Sequence, residues 1–250
     1  LPLQDGFDNA GLQIGLTEAE ATGALLCLDV TEAVLDEAIA LGYNLVISHH
    51  PLIFKGYKSI TGKDYVERCI LKAIKNDIVI YSAHTNLDNA YGGVNYKIAE
   101  KIGLKNLQVL EPKENSLQDD LTQVGAGIVG ELDEPETELE FLKRIKKTFE
   151  VGCVRHNRLT GREIQKVALC GGAGAFLLPQ AIRAGADVFI TGEIKYHDYF
   201  GHEGDILMAE IGHYESEQYT KEIFYSIIRD LFPNFALQSS KINTNPIKYL

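Results

Sequence analysis

Short apolar runs alternate with amphipathic segments along the first third of the chain. The runs at 24–30, 45–47 and 78–81 have the composition of buried strands. The segments at 32–40 and 65–75 carry apolar residues at helical spacing. Strand and helix in this order predict βαβ units with a largely parallel sheet.

The remaining chain repeats this order of strand, polar loop and helix, without a repeat in sequence identity. Further strands are predicted at 121–130, 153–156, 166–170, 188–190 and 206–209, and further helices at 94–102, 136–149 and 219–231, with one ending at 184. Residues 106–121 break the pattern and are predicted to form a polar connector. We therefore predict an α/β protein of two similar halves with mixed, largely parallel sheets, 1–111 and 121–250, joined by a connector at 112–120.

Composition and charge narrow the class of protein. The 250 residues are 45% hydrophobic and 24% charged, as in ordinary globular proteins. The formal net charge of -11 at pH 7 disfavours nonspecific binding to nucleic acid or to anionic membranes, which depends on clustered Lys and Arg. No apolar run approaches the roughly 20 residues of a spanning helix, and we expect no signal peptide.

The four cysteines indicate a reducing compartment. They form no CxxC pair, and three of them lie inside apolar runs, where a reduced cysteine behaves as a small hydrophobic residue. Disulfides and zinc knuckles are therefore not expected, and we predict a cytoplasmic location. These residues are Cys27, Cys69, Cys153 and Cys170.

Two adjacent histidines, His49 and His50, follow the predicted strand at 45–47. Strand ends at the carboxyl edge of an α/β sheet are where such proteins bind ligands. Adjacent side chains on extended backbone point to opposite sides, so the pair would serve two neighbouring ions, or one ion and a substrate. An ordinary polar surface is the alternative for this pair taken alone.

Carboxylates and a further histidine follow other predicted strands. Asp88 lies beyond the strand at 78–81, and His213 and Glu217 are four residues apart at the predicted start of the last helix, where they share one face. With His49 and His50 they form a nitrogen and oxygen donor set that suits Zn, Mn, Fe, Co or Ni. We predict two divalent ions about 3.5–4 Å apart, as in hydrolytic two-metal centres.

A glycine-rich turn at 171–176 joins a predicted strand to a helix. It could expose N–H groups to an anion or be a tight packing turn, since its spacing fits neither a P-loop nor a dinucleotide fingerprint. Asp8 and Asn9 could cap a helix or line the pocket, and we favour a structural role for them.

Five ordered blocks of this chain resemble the signature blocks of the NIF-three-like family, some members of which are labelled GTP cyclohydrolase I type 2 homologues. The blocks are DNAGLQIG, ISHHPLIF, YSAHTNLDNAYGGVN, TGEIKYH and IGHYESE. The resemblance implies a dinuclear centre whose ligands are His49, His50, Asp88, His213 and Glu217. It also implies a toroidal homohexamer with the metal sites facing an internal cavity. Longer members carry an inserted domain between the halves. This chain has only the connector at 112–120 there, which indicates either a naturally short member or a sequence from which the insert is missing.

Three further residues could act in catalysis. His84 or His197 could move protons or contact substrate, and Glu193 stands with them as a catalytic candidate. The alternative is that such groups orient a metal ligand by hydrogen bonding. Lys195 could bind an anionic substrate or pair with a carboxylate.

We predict a metal-dependent hydrolase acting on a small substrate, for which a nucleotide-like compound is one candidate. Two divalent ions lower the pKa of a bridging water from 15.7 towards about 7 and polarise the bond under attack. A metal-binding scaffold or regulatory ring protein without catalysis is the alternative, because ligands alone do not show an open coordination position. A nucleic-acid clamp is disfavoured by the negative charge.

Overall fold

The computed structural model describes residues 3–113, 124–202 and 204–250. The strands are β1 (Gly11–Ile14), β2 (Ala24–Cys27), β3 (Leu45–Ser48), β4 (Val79–Ser82), β5 (Lys105–Pro112), β6 (Gly125–Thr137), β7 (Arg155–His156), β8 (Glu163–Cys170), β9 (Val188–Thr191), β10 (Leu207–Glu210) and β11 (Leu237–Ser239). The α-helices are α1 (Glu32–Leu41), α2 (Tyr65–Lys75), α3 (Thr85–Asp88), α4 (Val94–Ile102), α5 (Glu138–Thr148), α6 (Leu178–Arg183), α7 (His213–Glu217) and α8 (Thr220–Leu231). None of these described helices is both long and apolar enough to cross a membrane.

The chain forms two compact units. The first comprises the residues up to Leu87 together with Thr220–Pro246, and the second comprises Asp88–Tyr219 together with Ile247–Leu250. The predicted connector at 112–120 lies mostly outside the described residues, and the compact units are divided at other positions. The reason is that the chain returns late to the first unit, where β11 pairs with β2 and α8 packs on both strands.

The first unit is built on a five-stranded sheet of order β1-β4-β3-β2-β11. The strands β4, β3, β2 and β11 are parallel, and only β1 runs antiparallel, as the partner of β4. Alternate strand residues such as Val46 and Ile80 are fully buried in a core that includes Val34 of α1 and Ile70 of α2. This sheet has the largely parallel character that the sequence predicts.

Local signals fix the start of α1 and of α2, and the end of α1, in this unit. The hydroxyl of Thr31 accepts a hydrogen bond from the backbone N–H of Val34, and α1 ends at Gly42, whose φ of +70° is readily available only to glycine. The carboxylate of Asp64 caps α2 by accepting from the N–H of Glu67 at 2.8 Å. These caps explain why the helix predictions at 32–40 and 65–75 are confirmed within one residue.

The second unit is built on a six-stranded sheet of order β5-β6-β8-β9-β10-β7. Only β8, β9 and β10 are mutually parallel, and the other three strand pairs are antiparallel. Phe189 and Met208 on one face belong to a core with Ala181 of α6, while α4 and α5 contact β6 and β8. The protein is therefore an α/β protein with two mixed sheets.

Three local predictions are wrong. Residues 105–112, predicted as connector, form the edge strand β5, whose alternation is hidden by polar residues because it is exposed along most of its length. The stretch 8–15 contains two glycines and is predicted from the sequence to be a loop, but residues 11–14 form strand β1. His213 and Glu217 belong to the separate short helix α7 rather than to α8.

Tertiary contacts explain the break between α7 and α8. The amide of Gln218 donates to the carbonyl of Phe149 at 2.9 Å, and the hydroxyl of Tyr219 donates to the carbonyl of Thr148 at 2.7 Å. Both contacts tie the segment to the end of α5. Since these partners are distant in sequence, helical periodicity alone cannot reveal the break.

Candidate metal centre

Three histidines converge at the carboxyl ends of two neighbouring strands in the first unit. His49 and His50 follow β3 and His84 follows β4, whose last residues Ser48 and Ser82 pair in the parallel register. The imidazole centroids are 4.9, 5.2 and 5.5 Å apart, and one ligand atom from each ring lies within 4.8 Å of the others. His49 is fully buried. The structure thus places His84 in one donor group with the predicted ligands His49 and His50.

Each of these rings is held through its Nδ1 atom by an oxygen that can only accept. His49 Nδ1 lies 2.9 Å from the carbonyl of Ala83, and His50 Nδ1 lies 2.7 Å from Asp29. His84 Nδ1 lies 2.7 Å from Asp8. A hydrogen bond to such an acceptor requires the proton on Nδ1, so the neutral ring carries its lone pair on Nε2. This is the arrangement by which proteins orient metal-binding histidines.

Asp8 supports His84 from a fully buried position. Its second oxygen accepts from both the hydroxyl of Thr85 at 2.6 Å and the N–H of the same residue at 3.1 Å. Burial opposes ionisation of Asp8, but these hydrogen bonds and that of His84 outweigh it and hold the pKa below its ordinary value. Asp8 therefore orients a histidine; Asn9 instead donates to the carbonyl of Ile53 at 2.6 Å.

A second layer of contacts supports His50. The carboxylate of Asp29 bonds His50 with one oxygen and accepts with the other from the hydroxyl of Thr244 at 2.5 Å. Thr244 lies in the segment that follows β11, far along the chain. No motif surrounds Thr244, so its contact with Asp29 could not be predicted from the sequence.

In the second unit the donors are one imidazole and two carboxylates. His213 and Glu217 lie at the two ends of α7, and His213 Nε2 is 3.2 Å from Glu217 Oε2. A carboxylate oxygen of Asp88, the last residue of α3, lies within 4.8 Å of one of Glu217. Glu193, just beyond β9, accepts from His213 Nδ1 at 2.6 Å. Glu193 thus orients His213, as Asp29 orients His50.

The glycine-rich turn after β8 is a packing turn. Its N–H groups donate to side chains within the unit, that of Gly171 to Asn95, that of Gly172 to Ser216 and that of Gly174 to Thr191, each at 3.0 Å. A Cβ atom on Gly172, at φ +60°, would lie 2.3 Å from Glu217 Oε1. The absence of a side chain therefore lets the turn approach α7, which decides between the two interpretations of the sequence.

His197 lies apart from these donor groups. It is exposed on the 3-10 turn Tyr196–Tyr199, and no candidate metal group among the described residues includes it. Lys195 directly precedes this turn and is exposed. In the parts of the chain that the structure describes, no carboxylate pairs with its ammonium group.

The donor chemistry of both units fits a divalent transition-metal ion. Imidazole nitrogen with carboxylate oxygen, without thiolate, suits Zn, Mn, Fe, Co or Ni, and the oriented Nδ1–H groups are the supports that such ligands need. The residues therefore form His, Glu and Asp clusters that can hold metal. In the described part of the chain no two of the four cysteines form a disulfide, and Cys27, Cys69 and Cys170 are buried.

The sequence pattern of the Duf34/NIF3 family, described as NGG1p interacting factor 3, matches residues 1–246. The chain belongs to this family. A GTP cyclohydrolase 1 type 2 homolog of Clostridium perfringens is 37% identical over 218 residues, which cover 86% of this chain and 80% of that protein. The family resemblance of the sequence blocks is therefore confirmed.

Solved structures agree with the fold. The crystal structure of the Staphylococcus aureus hypothetical protein SA1388 matches with a TM-score of 0.90 at 33% identity, covering 98% of this chain and 93% of that one. A GTP cyclohydrolase 1 type 2 homolog of S. aureus strain MRSA252 is 28% identical over 349 aligned positions, covering 98% of this chain and 95% of that protein. Because that alignment is longer than this 250-residue chain, the relative contains residues that have no counterpart here.

Proposed function

We propose that the protein is a metal-dependent hydrolase with a dinuclear centre, acting on a small substrate of nucleotide character. The observation that carries the proposal is the common support of four histidines: His49, His50, His84 and His213 are each held through Nδ1 by an oxygen acceptor. Proteins that use histidine only as a polar surface group have no need of this repeated arrangement.

We propose His49, His50, Asp88, His213 and Glu217 as the ligands of two divalent ions. The donor chemistry within each unit and the family resemblance support this set. Bound divalent ions would supply Lewis acidity and an acidic water at neutral pH. Glu217, buried and held against the glycine-rich turn, offers two carboxylate oxygens in fixed positions. His84 is close to His49 and His50 and is the residue of the first unit best placed to hold or move a proton.

The names of the relatives motivate the substrate class. Proteins 37% and 28% identical to this chain are called GTP cyclohydrolase 1 type 2 homologs. We propose a substrate of nucleotide character on this ground and on the hydrolytic chemistry of two-metal centres. The cytoplasmic location and the assembly into a ring-shaped hexamer also stay predictions, and light scattering coupled to size-exclusion chromatography tests the hexamer.

Metal analysis of anaerobically purified protein tests the centre. We expect about two equivalents of divalent metal per chain, as in other two-metal sites, and a marked loss of metal in His50→Ala and Glu217→Gln. His156→Ala is the matched control, because His156 is exposed on β7 and belongs to no candidate metal group among the described residues. Equal metal content in all four proteins would contradict the proposed ligands.

Turnover tests the reaction separately. A panel of nucleotides, cyclic amidines and phosphoesters is incubated with the metal-loaded protein, and we expect a chelator to abolish turnover and added metal to restore it. A protein that retains two ions but converts no member of the panel would be a metal-binding scaffold rather than a hydrolase.

A further inference from the structure

An exposed group of aromatic rings lies on the turn that follows Glu193. Tyr196 is 68% exposed and Phe200 is 55% exposed, and both contact the exposed ring of His197. The centroids of Tyr196 and Phe200 are 5.3 Å apart with the rings tilted by 67°. Contiguous exposed apolar patches often mark interaction sites, so two large aromatic rings beside an exposed imidazole require a reason.

The backbone beneath these rings is anchored. One oxygen of Glu210, at the end of β10, accepts from the N–H of Ile194 at 2.9 Å and from the hydroxyl of Tyr199 at 3.3 Å. Its other oxygen accepts from Arg155 at 2.7 Å. The turn is thus fixed at both ends by one carboxylate, and Ile194 is buried. A ligand would therefore meet rings whose backbone is already ordered, which lowers the entropy lost on binding.

The turn is also directly connected to the metal donors of its own unit. Glu193 accepts from His213 Nδ1 at 2.6 Å, and Tyr196 follows three positions later in the chain. Three residues span at most about 11 Å, so the aromatic rings are tethered close to the support of His213. Lys195 lies between Glu193 and Tyr196 in the chain. Its side chain is exposed, and its ammonium group forms no ion pair with a carboxylate of the described residues.

We propose that this aromatic turn, Lys195–Phe200, binds the planar heteroaromatic ring of an anionic substrate, the chemistry of a nucleotide. Tyr196 and Phe200 supply faces on which a base stacks, and Lys195 supplies a positive charge for phosphate. The inference deepens the proposed function and rests on it for the substrate class. It assigns base recognition to a turn that also holds the metal ligand His213 through Glu193.

The polarity of the turn favours a base over an apolar protein surface. The imidazole of His197 and the hydroxyl of Tyr196 give the exposed rings polar edges, and Lys195 and Asp198 carry opposite charges beside them. Burying these charges under an apolar partner would require desolvation without compensation. A flat base with polar edges contacts the ring faces while the charges stay hydrated.

Equilibrium dialysis of the metal-loaded full chain tests the proposal, with GTP, ATP and inorganic tripolyphosphate as probes and with the intact nucleotide quantified by chromatography. We expect both nucleotides to bind more tightly than tripolyphosphate. Tyr196→Leu and Phe200→Leu remove the π face but keep apolar area, and each should weaken nucleotide binding about 5- to 140-fold, the range that loss of one stacked base implies. Tripolyphosphate binding should be unchanged by either substitution.

Two further variants control the measurement. Tyr196→Phe keeps the ring and should bind nucleotide like the wild type. Phe232→Leu changes a comparably exposed ring, 60% accessible, in the first unit and should have no effect. Lys195→Ala should weaken the binding of nucleotide and tripolyphosphate alike.

The outcomes separate this inference from the proposed function. Equal binding of nucleotides and tripolyphosphate, or unchanged nucleotide binding in Tyr196→Leu and Phe200→Leu, would overturn it. A change in assembly mass without a change in nucleotide affinity would instead make the turn a contact between copies and would also overturn it. Nucleotide binding that depends on both rings, in a protein without turnover, would support the inference while the hydrolase proposal fails.

Discussion

The two units of the molecule hold their candidate metal donors by different means. In the first unit, three imidazoles project from the ends of parallel strands, and their supports come from Asp29, Asp8 and the Ala83 carbonyl. In the second unit, two of the donors lie on the five-residue helix α7, and the support Glu193 is 58% exposed. The donors of the first unit follow strands of a hydrogen-bonded sheet, whereas His213 and Glu217 of the second unit lie on a single turn of helix.

This difference predicts that the two donor sets are disrupted by different kinds of substitution. A helix of five residues is not stable by itself, because the entropy lost in ordering its first turn exceeds the free energy gained from the few hydrogen bonds of that turn. It is kept in place by close packing, and the glycine-rich turn supplies that packing through Gly172 and its bond to Ser216. We therefore expect the second donor set to be lost by small steric changes, and the first set by loss of the supporting hydrogen bonds.

The largest effect is expected from Gly172→Ala. The new methyl group would lie 2.3 Å from Glu217 Oε1, and the backbone at φ +60° disfavours any side chain by about 1–2 kcal/mol. We expect a lower melting temperature and loss of most of the bound metal, measured by scanning calorimetry and metal analysis.

Gly185→Ala is the matched control for this substitution. Gly185 has φ +69°, in the same region, but a Cβ atom there would meet nothing within 4 Å. It should show only the backbone penalty and should retain metal. Equal metal loss in both variants would show that packing against Glu217 is not what holds the donors of α7.

The next largest loss of metal affinity is expected from changing the carboxylates that orient His50 and His213. Asp29→Asn and Glu193→Gln keep the acceptor oxygen but remove the charge, and outer supports of this kind are worth about 10- to 100-fold in metal affinity. Asp29 is 34% exposed and Glu193 is 58% exposed, so water screens Glu193 more. We expect the larger loss for Asp29→Asn, measured by competition with a chelating dye, and the opposite order would contradict the comparison.

A smaller effect is expected from Thr244→Val. This isosteric change removes the hydroxyl that donates to Asp29 and leaves one carboxylate oxygen without that partner, which costs about 1–3 kcal/mol where the group is buried and less here. We expect a decrease in metal affinity below that of Asp29→Asn. Thr244→Ser, which restores the hydroxyl, should recover it in the same dye assay.

The smallest effect on bound metal is expected from substitution of two carboxylates that accept hydrogen bonds from neighbouring loops. Glu67 accepts from Thr61 and Lys63, and Glu138 in the second unit accepts from Thr160 and Gly161. Backbone hydrogen bonds from Thr61 and Lys63 outweigh burial and lower the pKa of Glu67 from 4.5 to about 2.

The folded-state pKa of Glu67 is depressed, so its stabilisation is present above pH 4.5 and is lost as the pH falls towards about 2. Glu67→Gln should therefore lower the melting temperature at pH 7, and its difference from the wild type should shrink between pH 4.5 and 3. Metal content at pH 7 should be unchanged in both Glu67→Gln and Glu138→Gln. A difference in melting temperature that grows as the pH falls would contradict the expected direction of the effect.

Helices and buried strands were the predictable part of the fold. The helices at 65–75 and 94–102 have the bounds that their apolar spacing predicts, since capping residues lie next to them in sequence. Strands such as β5 and β1 were not predictable, because β5 is largely exposed and β1 buries only Gly11 and Ile14. The pairing that makes them strands comes from β6 and β4, which the local sequence does not contain.

The donors of the site were recognisable, but their supports were not. Histidine and carboxylate residues beyond apolar runs pointed to His49, His50, Asp88, His213 and Glu217 as ligands, and these assignments stay predictions. The sequence predicted His84 as a catalytic or orienting residue rather than a ligand, and the structure places it beside His49 and His50 in a group that can hold metal. Thr244 as a partner of Asp29 had no signal, because 215 residues separate the two.

The sequence by itself determined the α/β class, the family and the residue types available to a metal, because periodicity and short motifs are local properties of the chain. Only the tertiary structure decided the division into two units, the break before α8 and the role of the glycine-rich turn. Each of these depends on contacts between residues far apart in the chain, such as Gln218 with Phe149 and Gly172 with Glu217. Such contacts are set by packing and by hydrogen bonds that form only once the sheets are assembled.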